Sequence, residues 1–120
     1  MITRTERGWG GHFICAHDCL FRRNTLLVNG RRKIVVSTVG NMSRNRELET
    51  IGYNRYYETM AFVAHKEGAY WEADVSKELS FESDWAICAE SAEKLPEDVD
   101  NVADRMHERV VAEFIKRGLK

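Results

Sequence analysis

The chain has 120 residues, 43% hydrophobic and 31% charged, the balance of one folded domain rather than of a disordered segment. No apolar run reaches the roughly 20 residues of a membrane span, and Met1–Arg7 lacks the apolar stretch of a signal peptide. A cytoplasmic location is therefore expected, with the three cysteines, an odd number, kept reduced. Net charge is −1, yet residues 1–60 carry ten basic groups against five acidic and residues 61–120 carry eight against fourteen. Such segregation marks either a surface for a partner of opposite charge or two halves that lie against each other.

Gly8, Gly10 and Gly11 surround Trp9 in a flexible opening segment, and His12 to Phe21 is apolar and β-prone, suited to a buried strand. Thr25 to Val28, Asn29-Gly30 and Arg31 to Val39 form the clearest local signal. Asn-Gly tolerates φ > 0 at both central turn positions and so predicts a hairpin. Residues 40–46 are polar and predicted to loop. A second hairpin is predicted from Tyr56 to His65 and Ala69 to Ser76, joined by Lys66-Glu67-Gly68 in a type I turn closed by a glycine bulge. That turn opposes His65 with Ala69, Val63 with Trp71, Ala61 with Ala73 and Thr59 with Val75 on a core face. Glu58, Met60, Phe62, Ala64, Tyr70, Glu72 and Asp74 fall on the other.

Residues 79–95 read equally as a short helix from Ser83-Asp84 or as a strand through Trp85-Ala86-Ile87-Cys88. Pro96, Glu97, Asp98 and Asp100 suit a helix start. Val99, Val102, Ala103, Met106, Val110 and Phe114 then share a stripe at helical spacing, and Gly118 suits the stop. His107 is assigned to the polar side of this helix, near Asp104. The expected fold is α+β: one domain, an antiparallel sheet of about five strands in two hairpins, and a C-terminal amphipathic helix packed on it.

Three constellations have chemistry in reach. Cys15, His17 and Cys19 project from one face if their stretch is a strand, and thiolates with imidazole are zinc donors. Donors two apart on a strand are about 7 Å apart, however, and a fourth ligand would have to come from His12, His65 or Cys88. The competing reading makes the cysteines small buried hydrophobes. Glu58, Glu72 and Asp74 share a face in the expected register and would suit Mg²⁺, Mn²⁺ or acid–base work; alternation out of an exposed strand gives the same pattern. Arg22, Arg23, Arg31, Arg32 and Lys33 surround the first hairpin and would suit phosphates or a partner. Cationic hairpin tips also guard strand edges, and a pI near 6.4 is low for a nucleic-acid-binding domain. No Walker A, GxGxxG, GxSxG or HExxH motif is present.

The stretch Gly8-Trp9-Gly10-Gly11-His12-Phe13-Ile14-Cys15 through Arg22-Arg23-Asn24-Thr25-Leu26, with Arg55-Tyr56-Tyr57-Glu58-Thr59, resembles small uncharacterised bacterial and phage proteins over about half the chain. The resemblance implies no activity; it implies a phage or mobile-element source and a role against host defences. The leading expectation is a non-catalytic binding protein that acts through a protein partner, with no cofactor. The alternatives are a metal-dependent hydrolase built on the carboxylates and a nucleic-acid binder built on the basic hairpin. A homo-oligomer remains open.

Overall fold

Two glycines with positive φ make the two hairpins. Gly30 (φ +61°) and Gly68 (φ +60°) each occupy the first central position of a two-residue turn, Gly30-Arg31 and Gly68-Ala69. That is the glycine position of the type II′ turn, whose twist matches that of paired strands. The computed structural model describes residues 1–7, 12, 19–44, 47–49, 55–82, 86–88 and 99–120. Its strands are β1 (Thr3–Arg7), β2 (Cys19–Asn29), β3 (Arg32–Arg44), β4 (Glu47–Glu49), β5 (Arg55–Glu67), β6 (Tyr70–Leu79) and β7 (Ala86–Cys88), followed by helix α1 (Val99–Lys116). They form one antiparallel sheet in the order β1-β2-β3-β5-β6, with β4 against β3 and β7 against β5. The expected α+β architecture, with the C-terminal helix on the sheet, is what forms.

Several local expectations are corrected. The first turn is displaced by one residue, so that Asn29 pairs with Arg32. The expected loop over residues 40–46 is, through Arg44, the continuation of β3. Gly40 marks close strand approach there: a Cβ would lie 2.4 Å from the Tyr56 carbonyl oxygen and 2.8 Å from Tyr57 Cα. In the second hairpin Glu67 pairs with Tyr70 and Ala64 with Ala73. This shift of three residues from the expected register turns the side chains of Tyr70–Ala73 to the opposite face. Beyond Ala73 the ladder breaks and resumes at Glu78 opposite Phe62, so Asp74–Lys77 bulges out. Val75, expected in the core, is 65% exposed. The expected strand from His12 lies outside the described residues up to Asp18, except for His12 itself, and the 79–95 question is settled only at Ala86–Cys88, a strand.

Alternation along β2, β3 and β5 sends Leu27, Ile34, Val36 and Ala61 to one face, where Val110, Val111 and Phe114 of α1 cover them. Tyr57 packs with Ala103 and Met106 farther along, and the Phe21 ring meets Tyr57 edge-on. The helix stops in a Schellman motif: Leu119 N–H bonds Phe114 O at 2.8 Å and Gly118 N–H bonds Ile115 O at 3.0 Å, with Gly118 at φ +64°. Leu119 is thereby tucked into the core beside Phe114.

The other face is concave. Flat strands about 4.8 Å apart would hold β1 and β6 roughly 19 Å apart, yet the Arg7 guanidinium of β1 donates to the Trp71 carbonyl of β6. It also donates to Asn24 Oδ1 at 2.8 Å. The sheet must therefore curl away from the helix, and Arg7, Asn24, Val35, Ser37, Val39 and Phe62 are buried.

Candidate functional site

Thr25 on β2, Thr38 on β3 and Thr59 on β5 form a polar row on the helix-facing side, and His107 of α1 drops into it. Thr25 Oγ1 lies 2.7 Å from His107 Nε2, Thr38 Oγ1 lies 2.6 Å from Nδ1, and Thr38 and Thr59 are 2.7 Å apart. Thr25 spends its proton on Glu6 Oε1, 2.9 Å away. One assignment satisfies all of them: Thr59 donates to Thr38, Thr38 to Nδ1, and Nε2–H to Thr25. The imidazole is then neutral, and burial followed by the nearby Arg23 charge lowers its pKa from 6.5 to about 3. His107 is fully buried, which corrects its assignment to the polar side of the helix. It falls between Ala103, Met106, Val110 and Val111 on the same stripe.

Around this row the two halves of the chain exchange charge. Arg23 meets Glu6 at 2.9 Å, Asp104 at 2.7 Å and Glu108 at 2.9 Å, and Arg4 reaches Glu6 at 2.7 Å and Glu108 at 2.5 Å. The Arg4 hydrogen bond, opposed by burial and joined by Arg23, holds the Glu108 carboxyl down at about 2. Segregated charge in the sequence is thus partly spent on packing the basic half against the helix.

The concave face holds a second chain of polar groups. His12 Nε2 lies 2.8 Å from Glu58 Oε1 and Nδ1 lies 3.1 Å from Ser37 Oγ, with the ring 5.7 Å from that of Phe62. Nε2–H donating to the carboxylate leaves Nδ1 to accept from the serine hydroxyl, the order of groups in a nucleophilic relay. Ser37, however, is fully buried in β3 between β2 and β5, and the His12 side chain is only 4% exposed. The set ties His12 to the middle of two strands. Ser37 escaped sequence reading because only the fold brings it beside His12.

The carboxylates expected together have separate partners. Glu58 pairs with His12; Glu72 is opposite His65 and acts on the charge of Arg7; Asp74 sits in the bulge, where Oδ1 accepts from Ser76 N–H at 3.1 Å and from Ser76 Oγ at 2.6 Å. Among the described residues no group of three His, Cys, Asp or Glu side chains is placed to hold a metal. Cys15 and His17 lie outside the described residues, and Cys19 is buried.

The basic residues disperse too. Arg22 and Arg31 are exposed, but the seven strand steps from Arg22 to Asn29 put that end about 23 Å from the tip. Arg23 is in the helix network, Arg32 Nε donates to the Leu119 carbonyl at 2.8 Å, and Lys33 Nζ stands 4.5 Å from the centre of the Trp71 ring. Among the described residues the surface also presents large apolar side chains: Tyr70 and Val75 on the edge strand β6 are 61% and 65% exposed, and Leu20 near the start of β2 is 70% exposed. No described helix is long and apolar enough to cross a membrane. Comparison with protein-family models, curated proteins and solved structures finds no match for this chain.

Proposed function

We propose that the protein is a non-catalytic binding protein that acts through a protein partner docked along β6. The observation that carries this reading is the pair of large exposed side chains, Tyr70 and Val75, on one outer strand. Tyrosine offers a rigid amphipathic anchor of the kind that concentrates binding energy at interfaces. The Asp74–Lys77 bulge pushes Val75 outward while breaking the ladder, so a partner meets side chains there rather than an open strand edge. The charged residues Glu67, Lys77 and Glu78 lie along the same strand ends and supply a polar rim.

The metal-hydrolase reading lacks support, because Glu58, Glu72 and Asp74 each answer to a different neighbour. The nucleic-acid reading loses Arg23, Arg32 and Lys33 to contacts within the chain. On the resemblance to bacterial and phage proteins, a host nuclease or defence complex is the class of partner to test first. Affinity capture from bacterial lysate, run side by side with wild type and with a Tyr70→Glu/Val75→Asp variant, tests the reading. A protein retained by wild type and lost by the equally stable variant supports it; identical captures from the two overturn it.

A further inference from the structure

The two outer strands of the sheet are built differently. β6 is broken by its bulge, whereas β1 runs in unbroken antiparallel register with β2, from Thr3 opposite Val28 to Arg7 opposite Asn24. Thr3, Arg4, Thr5 and Glu6 are all exposed, and among the described residues no strand lies on the outer side of β1. A regular edge strand is a template for pairing unless something blocks it. Charges of a single sign would repel a second copy; on the face that Arg4 and Glu6 share β1 carries one of each, and Arg7 is buried on the other face.

We propose that β1 pairs with β1 of a second copy of this chain, antiparallel across a twofold axis at Thr5. In that register Thr5 faces Thr5, and Arg4 of each copy faces Glu6 of the other. An interface with a twofold axis must match itself in this way, and Arg4 and Glu6, two residues apart on one face, meet the requirement. Within one copy Arg4 and Glu6 already join Glu108 and Arg23. The two copies therefore bring two alternating-charge networks edge to edge, and their sheets continue into one. The partner is a second copy on β1, distinct from the protein partner proposed for β6.

Static light scattering on a C-terminally tagged chain reads this directly. The wild type, 13.9 kDa before the tag, is expected to shift from the mass of one tagged chain toward twice that mass as concentration rises through the micromolar range. Thr5→Lys places two lysines face to face on the axis and is expected to stay at the mass of one chain, with its melting temperature at low concentration unchanged. A nitroxide on Thr5→Cys, in a chain whose Cys15, Cys19 and Cys88 are replaced by alanine, gives an independent readout: the proposed register puts the two Cβ atoms about 5 Å apart, so the labels give a short distance by pulsed spin resonance. A wild type that remains a monomer at high concentration overturns the proposal, as does a Thr5→Lys chain that still forms the dimer or a spin-label pair with no short distance.

Discussion

His107 Nδ1, on the helix, lies 2.6 Å from Thr38 Oγ1 in the middle of the sheet, and both residues are fully buried. The contact fixes the helix over β2, β3 and β5 and makes stability depend on an uncharged imidazole. A histidine whose folded pKa is depressed from 6.5 to about 3 contributes stability above the unfolded value and loses it as pH falls between the two. Between pH 7 and pH 4.5 the loss is on the order of 2–3 kcal/mol. Glu108, also depressed, adds its own loss farther down, below its unfolded value of 4.5. Urea unfolding as a function of pH checks this: His107→Gln should flatten the slope between pH 6.5 and 4.5, and an unchanged slope would contradict the assignment.

The histidine's packing is a separate expectation. His107→Ala removes a buried ring and leaves Thr25 and Thr38 without their partner, so about 2–4 kcal/mol of stability should go. Equilibrium denaturation measures it, and a cost under about 0.5 kcal/mol, the range of ordinary surface changes, would exclude the geometry described.

Ser37 is expected to be inert as a nucleophile. With no exposed surface it should not react with a fluorophosphonate in the folded protein, and Ser37→Ala should cost only about 1 kcal/mol, one neutral hydrogen bond. Mass spectrometry of the treated protein decides the first point. Covalent modification at Ser37 would turn the His12–Ser37–Glu58 set into a catalytic one.

Arg22 and Arg23 are neighbours in sequence with opposite fates. Arg23→Ala strips the partner from Glu6, Asp104 and Glu108 in a part-buried network and should cost about 1–3 kcal/mol, discounted because those carboxylates are about half exposed. Arg22→Ala, on the exposed side of β2, should change stability by less than about 0.5 kcal/mol. Thermal unfolding of the two variants compares them directly, and equal effects would contradict the charge network.

Gly40→Ala should be the most damaging small change in the sheet. The added carbon would meet backbone atoms of Tyr56 and Tyr57, which cannot rotate away, and more than about 3 kcal/mol of destabilisation is expected. Loss of soluble folded protein on expression, or a fall in melting temperature of well over ten degrees, would show it.

The hairpins and the helix were legible because glycine turns and a 3.6-residue apolar stripe are local signals, and Phe114, Val110 and Met106 lie where that stripe puts them. Register was not. Whether a glycine sits at the first or a later position of a turn depends on strand twist; a slip of three residues turned Trp71 to the face opposite that expected, and the bulge carried Val75 out to 65% exposure. His107 was misplaced because a polar residue within an apolar stripe reads as solvent-facing until the threonines that receive it are seen together. Those threonines, and the Ser37 that meets His12, come from strands far apart in the chain. The same distance explains why Glu58, Glu72 and Asp74, expected to cluster, found His12, Arg7 and Ser76 instead.

The most direct test of docking through β6 is site-specific photo-crosslinking in bacterial cells with benzoylphenylalanine at position 70, compared with position 31 at the tip of the other hairpin. The expected result is a discrete crosslinked adduct from position 70, identified as the same protein by mass spectrometry in replicate experiments, and none from position 31. Equal adducts from both positions, or an adduct from position 31 alone, would contradict a partner surface on β6.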